Sequence, residues 1–212
     1  MKALFNGSIN EFKIFTDTEL KLYKWIIYDM NIHDRYEKVK IYSYIDKLEE
    51  SAFNSNINHE ETEVISWLDS QMILLKVIKR IEKENINILN DMYIIQEYHI
   101  PFTNKRADYL LIKNNRIMII EFSYAKLDKK EYQYQNKLNQ VINYKELISN
   151  VLPHLIDIST YTFILHPEED DININQEQIN NFIKYVYYYF KDRTNIAYEA
   201  LSNVKIQEEK NE

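Results

Sequence analysis

The sequence predicts an α/β fold in which a meander of strands is flanked by helices, and three observations support that prediction. Apolar residues recur at helical spacing from about Glu60 to Glu84. Short runs rich in Ile, Leu and Tyr follow one another between residues 93 and 122, as is typical of strands. A further helix, a fourth strand and a last helix complete the predicted order, behind an N-terminal helical extension.

The N-terminal extension is predicted to contain two helices. Thr16 and Glu19 have the spacing of a capping box, and apolar residues after them fall on one face, which predicts a helix over residues 16–30. A second apolar stripe predicts a helix from about His33 to Phe53.

A polar stretch, Asn54–Asn58, marks the predicted end of this extension. We therefore divide the chain into an extension (residues 1–55), a main domain (residues 56–206) and an acidic tail (residues 207–212). The extension matches no motif, and three roles stay open for it: packing on the main domain, oligomerisation, or docking of a protein partner.

The main domain contains four predicted strands and two further predicted helices. Ile117–Ile120 is apolar at every position, which is typical of a strand buried on both faces. The polar turn Lys113–Arg116 predicts a hairpin between the second and third strands. The predicted strands are Tyr93–Ile100, Asp108–Lys113, Arg116–Phe122 and Tyr161–Leu165, and the helices are Asp128–Ser149 and Gln176–Lys191.

The composition excludes several classes of function. The absence of cysteine excludes disulfides, thiolate metal sites and cysteine nucleophiles. A single glycine, Gly7, excludes both glycine-rich phosphate-binding motifs. The net charge of −7 argues against a protein that coats nucleic acid non-specifically. It leaves open a nucleic-acid enzyme whose site is built from carboxylates and metal ions.

The hydropathy of the sequence and its first ten residues predict where in the cell the protein is located. No apolar run is long enough to span a membrane, and residues 1–10 lack the pattern of a secretory signal. We therefore expect a cytoplasmic protein without a membrane partner.

Two acids stand at the ends of predicted strands. Asp108 begins the second predicted strand, and Glu121 directly follows the apolar run of the third. If the two strands pair, both carboxylates converge at one edge of the sheet and form a site for Mg²⁺ or Mn²⁺. Such an ion supports phosphodiester hydrolysis. The alternative is that each acid is an ordinary solvated strand end, although a buried unpaired carboxylate at Glu121 would be costly.

A pair of helix residues completes a pattern that resembles a known family. Gln140 and Tyr144 are four residues apart and share one helix face. Together with the order of elements and the pair Asp108 and Glu121, they resemble the PD-(D/E)xK nuclease superfamily, in its RecB-like branch, over residues 60–166. The resemblance implies a restriction-endonuclease-like core, metal binding by the two acids, and site-shaping or nucleic-acid contacts by Gln140 and Tyr144.

The resemblance also points to further acids and to a missing lysine. It implies Glu63 as an additional metal ligand, with a solvated helix face as the alternative, and Glu97 is a further candidate acid. The family pattern expects a lysine where this chain has Ser123. Lys126 is the predicted catalytic replacement, and Lys137 is a second candidate.

Basic residues gather around the same segments. Arg106 and Lys137 belong to this group, which predicts a face that contacts phosphate, with solvated loops as the alternative. The sequence thus predicts a Mg²⁺- or Mn²⁺-dependent nuclease acting on DNA, in phage defence or DNA processing. Two alternatives stay open: a degenerate nuclease fold that binds nucleic acid or a protein without cleavage, and an unrelated α/β interaction module.

Overall fold

The computed structural model describes residues 2–16, 32–124, 130–165 and 176–190. Most of the predicted helix at 16–30, Lys126 and the acidic tail at 207–212 lie outside these ranges. The elements are β1 (Phe5–Ser8), α1 (Ile9–Thr16), α2 (Ile32–Val39), α3 (Ser43–Asn54), α4 (Glu61–Asn85), a 3₁₀ turn (Ile86–Ile88), β2 (Tyr93–His99), β3 (Arg106–Lys113), β4 (Arg116–Tyr124), α5 (Lys130–Val151), β5 (Asp157–Leu165) and α6 (Gln176–Tyr189).

Five strands form one mixed sheet in the order β1-β2-β3-β4-β5. The pairs β1–β2, β2–β3 and β3–β4 are antiparallel, and β5 runs parallel to β4. A parallel pair needs a long connection, and α5 supplies it. The predicted α/β class, with a three-stranded meander followed by a helix and a strand, is confirmed.

Helices cover both faces of the sheet. One core joins the sheet to α1, α4 and α6, and the other joins it to α5. On β4, Met118 and Ile120 enter the first core, whereas Ile117 and Ile119 enter the second. The prediction that this strand is buried on both faces is confirmed, because successive side chains of a strand point to opposite faces.

The N-terminal segment is partly a strand, which corrects the prediction of a purely helical extension. Phe5–Ser8 forms β1 and pairs with β2. The capping box that starts α1 lies at Ser8: the amide of Ser8 donates to Glu11 Oε2 at 2.7 Å, and the Glu11 amide donates to Ser8 Oγ at 3.3 Å. Gly7 leaves room for this arrangement, since a Cβ there would lie 2.9 Å from Glu11 Oε2.

Thr16 is the last residue of α1, and the residues that would follow it in the predicted helix lie outside the described ranges, so its role as a helix cap stays a prediction. Its hydroxyl donates to the carbonyl oxygen of Phe12 at 2.8 Å, at the last residue of α1. Threonine hydroxyls inside a helix commonly donate to a carbonyl of the preceding turn in this way.

The second predicted helix, His33–Phe53, is two helices. Tyr42 has an extended backbone (φ −89°, ψ 133°) and separates α2 from α3. The break allows both helices to pack on α4, where Val39 and Leu48 lie in a core with Trp67. The division of the chain between residues 55 and 56 stays a prediction.

The remaining predicted elements are confirmed with small changes at their ends. The predicted helix Glu60–Glu84 is α4, and the strand and helix predictions from residue 93 onward correspond to β2 to β5, α5 and α6. β5 begins earlier than predicted, at Asp157. Among the described helices, none combines the length and the hydropathy that crossing a membrane requires.

Candidate functional site

Asp108 and Glu121 lie opposite each other where the β3–β4 ladder ends. The ladder runs from the Lys113–Arg116 pair to the Tyr109–Ile120 pair, and the two acids occupy the next position. There the Asp108 amide donates to Glu121 Oε1 at 3.0 Å, and the Phe122 amide donates to Asp108 Oδ2 at 2.7 Å. Carboxylates therefore take the place of backbone carbonyls in the ladder, and the predicted convergence of the two acids is confirmed.

The second oxygen of Glu121 is held by α5. Lys137 Nζ lies 3.0 Å from Glu121 Oε2, and Gln140 Nε2 donates to the same oxygen at 3.2 Å. The Glu121 side chain is fully buried, whereas that of Lys137 is 21% exposed. Residues three apart on a helix share a face, so α5 presents both donors to the end of β4.

Tyr144 extends this network by one helical turn. Gln140 Nε2 donates to its hydroxyl oxygen at 2.6 Å, and Lys105 Nζ lies 5.9 Å from the centre of its ring. Gln140 thus contacts Glu121 directly and Tyr144 through Gln140, and the shared helix face that their spacing predicted is observed. Burial, followed by the charge of Glu121, raises the pKa of Tyr144, so this phenol stays protonated at neutral pH.

Arg106 connects two further acids. Its guanidinium forms an ion pair with Glu63 on α4 and a second one with Glu97 on β2, where Nη1 lies 3.4 Å from Oε2. Among the described contacts, Glu63 binds Arg106 and makes none with Asp108 or Glu121. The predicted nucleic-acid residue Arg106 is therefore engaged by carboxylates of its own chain.

Glu97 is a buried acid within β2, and it is the further candidate acid named from the sequence. It is 7% exposed. Its neighbours Gln96 and Tyr98 pair with Tyr109 and Ala107, so Glu97 lies opposite Asp108. Its backbone has a φ of 55°, a conformation that non-glycine residues rarely adopt and that marks an irregular strand.

Burial shapes the electrostatics of the acids. It raises the pKa of Glu121 to about 8, with a further contribution from the charge of Asp108 and an opposing one from Lys137. Burial likewise raises the pKa of Asp108, and it holds that of Glu97 well above the usual carboxyl range. Three buried or partly buried carboxylates face two cations, so a further cation would stabilise the fully ionised cluster.

Lys137 stays charged in this environment. Burial alone lowers its pKa, but the charges of Asp108 and Glu121 outweigh that effect and raise the pKa above its ordinary value. Its ammonium is therefore a fixed positive charge at neutral pH and not a general base.

The donor set fits a hard divalent cation. Asp108 and Glu121 offer carboxylate oxygens alone, and Asp108 is partly exposed, which opens the site to solvent. Within the described residues, the carboxylate oxygens of Glu97, Asp108 and Glu121 do not form a group in which one oxygen from each acid lies within 4.8 Å of the others. Mg²⁺ is often bound through one or two carboxylates, with water or phosphate oxygens completing its shell.

Ser123 lies two residues beyond Glu121 and therefore on the same face of the sheet. Its side chain is buried, and it carries no charge. Lys126, the predicted catalytic replacement, is outside the described residues. Lys137 is the lysine that the structure places against Glu121.

A cavity of about 390 Å³ borders this site along β5. Thr162, which lines it, pairs with Glu121 in the β4–β5 register. Its other lining residues on α5 and β5 include Glu131, Tyr134, Leu138, Thr160 and Ile164. Among its lining residues, Thr162 is the one that pairs with an acid of the centre, and neither Asp108 nor Glu121 lines the cavity.

A second group of ligand-type side chains lies on the surface. His33, Glu37 and Glu61 each offer a ligand atom within 4.8 Å of the others, and His33 Nδ1 lies 2.8 Å from Glu61 Oε2. His33 and Glu37 are exposed, and exposed acidic groups of this kind are common without an ion.

The fold and the site define an α/β protein with a buried carboxylate centre at the end of a β-hairpin. No family model matches the chain, and no match was found among curated proteins or solved structures. Any assignment of function therefore depends on the residues and their geometry.

Proposed function

We propose that this chain is a metal-dependent nuclease that hydrolyses DNA phosphodiester bonds and has a restriction-endonuclease-like core. The observation that supports the proposal most is the carboxylate pair Asp108 and Glu121, held at adjacent strand positions with the Lys137 ammonium 3.0 Å from Glu121. Two acids and a lysine at one sheet edge are suited to phosphoryl transfer, which depends on positioning and charge stabilisation.

In this proposal, Asp108 and Glu121 hold Mg²⁺ or Mn²⁺. When bound, such an ion lowers the pKa of a coordinated water and polarises the phosphoryl group. Backbone amides fix one oxygen of each carboxylate, so the acids are oriented before any ligand arrives. Preorganised charge of this kind avoids the cost of reorientation during the reaction.

Lys137 takes the role of the lysine that is missing at Ser123. Its charged ammonium lies beside Glu121 and is partly exposed, so it can stabilise negative charge on a phosphate at this edge. Ser123 cannot supply that charge. Gln140 positions Glu121 and Tyr144 by donating to both, so it acts as a positioning residue in this account.

Cleavage of DNA by the purified protein tests the proposal. Linear, circular and single-stranded DNA are incubated with Mg²⁺ or Mn²⁺, and with EDTA as the metal-free control. We expect metal-dependent cleavage that falls by at least about 100-fold in Asp108→Asn, Glu121→Gln and Lys137→Gln. Lys145→Gln, an exposed lysine on the same helix, is the matched control and keeps full activity.

Two results would contradict the proposal. Cleavage that persists in both acid variants would show that another site or a contaminant acts. Absence of cleavage on every substrate, with metal binding intact, would instead favour the degenerate module that binds nucleic acid or a protein partner.

A further inference from the structure

We propose that Glu97 is a third cation ligand of the Asp108–Glu121 centre, and that Arg106 occupies its carboxylate until a divalent cation displaces the guanidinium. This inference depends on the proposed function, because it concerns regulation of the same metal site. It assigns a role to two residues that the proposed chemistry leaves unused.

The backbone at Glu97 supports the first half of the proposal. A left-handed residue in the middle of β2 is energetically unfavourable for a glutamate and persists only if the surroundings stabilise it. The irregularity lies opposite Asp108 and directs an acid into the interior, although burial of a carboxylate is costly. Irregular strand positions beside functional sites commonly reorient a side chain in this way.

The contacts of Glu97 support the second half. Its carboxylate accepts no hydrogen bond from the described residues, and its one ion pair is the 3.4 Å contact with Arg106 Nη1. That nitrogen is itself buried without a hydrogen bond. The Arg106–Glu97 contact therefore neutralises charge without the directed hydrogen bonds that would hold it strongly.

Arg106 also has an alternative partner outside the centre. Its other terminal nitrogen is paired with Glu63 on α4, whose side chain is 36% exposed. The guanidinium can therefore release Glu97 and keep its contact with Glu63. Glu97 falls opposite Asp108 in the β2–β3 register, so release of its carboxylate frees an acid at the strand position next to a proposed ligand. A guanidinium and a divalent cation compete for the same oxygens.

Titration calorimetry with Mn²⁺ on the full chain tests this competition. We expect Arg106→Gln to bind Mn²⁺ about tenfold more tightly than the unaltered protein, because a competing ion pair is lost. Glu97→Gln is expected to weaken binding by about tenfold through loss of a ligand. In the double variant the gain from Arg106→Gln disappears, since its target is gone. Arg80→Gln, at an exposed i,i+4 pair with Glu84, is the matched control and has no effect.

The outcomes separate this inference from the proposed function. Mn²⁺ binding that is unchanged or weaker in Arg106→Gln overturns the inference, and so does unchanged binding in Glu97→Gln. In either case, loss of binding in Glu121→Gln shows that the proposed metal site itself is still supported. If the unaltered protein and all variants fail to bind Mn²⁺, the proposed metal site is contradicted, and this inference with it. Arg106→Lys keeps the positive charge and serves as a control for effects on folding. We expect it to have a normal circular dichroism spectrum and near-normal affinity for Mn²⁺.

Discussion

Glu121 shows how a single buried carboxylate is accommodated. One oxygen accepts a hydrogen bond from the backbone of β3, and the other contacts an ammonium and an amide of α5. These contacts offset part of the cost of burying an ion, but burial still dominates and raises the pKa of Glu121. A side chain kept at this cost is expected to serve a ligand.

The pH dependence of stability follows from this pKa. The folded-state pKa of Glu121 is about 8, above its value in the unfolded chain. The protonated form is favoured by folding, so this contribution is fully present below about pH 4.5 and is lost as the pH rises through 8. We expect the free energy of unfolding to fall by on the order of 3 kcal/mol between pH 5.5 and 8.5 because of Glu121.

Urea denaturation of the unaltered protein and Glu121→Gln, without divalent cations, measures this effect. The variant cannot ionise at this position, so its stability should change less over the same pH interval. Equal pH dependence in the two proteins would contradict the assignment of the raised pKa to Glu121.

The candidate acids were predictable for a local reason. Glu121 follows four consecutive apolar residues, so the sequence places a charge where burial is expected. The positive φ of Glu97 has no such signal, because it depends on pairing with β3. Lys137 was one of several lysines near the site, and the packing of α5 on the sheet selects it.

Helix α4 is fixed to the sheet by a buried polar chain. Gln71 Nε2 donates to Gln96 Oε1 at 2.8 Å, and the Tyr44 hydroxyl donates to Gln71 Oε1 at 2.7 Å. Both glutamines are fully buried. These hydrogen bonds join α3 and α4 to β2 at Gln96, the residue before Glu97. They therefore support the strand that bears this acid.

Removal of Gln71 should be strongly destabilising. Gln71→Ala removes the acceptor of the Tyr44 hydroxyl and the donor to Gln96 Oε1, both at buried side chains, and we expect a loss of about 2–3 kcal/mol in the free energy of unfolding. Urea denaturation measures it. Gln135→Ala, which removes an exposed glutamine of α5, is the control and should stay within about 0.5 kcal/mol. A similar small effect for Gln71→Ala would show that the network contributes little.

Among the elements, long periodic helices and the meander were predictable, whereas short elements were not. β1 has four residues and contains Asn6 and Gly7, which have low strand propensity. Its place in the sheet is set by pairing with β2, which sequence patterns do not reveal. The Ser8–Glu11 capping box is a local signal for α1 that the predictions from sequence did not use.

The N-terminal segment, residues 2–16, packs into the sheet and the main hydrophobic core. β1 extends the sheet, and Phe12 of α1 is fully buried in the core shared with α4 and α6. Its ring lies 5.3 Å from that of Phe5 and 6.3 Å from that of Tyr109. Residues 2–16 therefore stabilise the sheet that carries the acids.

A pair of substitutions in α1 tests this integration. Phe12→Ala should lower the free energy of unfolding by about 3–5 kcal/mol, because it leaves a cavity in the main core. Ile14→Ala removes a side chain that is 74% exposed and should have little effect. Thermal and urea denaturation compare the two variants. Equal stability would mean that α1 is not part of the cooperative unit.

The central claim, a divalent-cation site at Asp108 and Glu121, is tested most directly by locating the ion. Crystals of the protein grown with Mn²⁺ and measured near the manganese absorption edge give an anomalous difference map. The account predicts a peak in contact with the carboxylates of Asp108 and Glu121, and its loss in Glu121→Gln. A map with no peak there, or with its peak at His33, Glu37 and Glu61 alone, would contradict the claim.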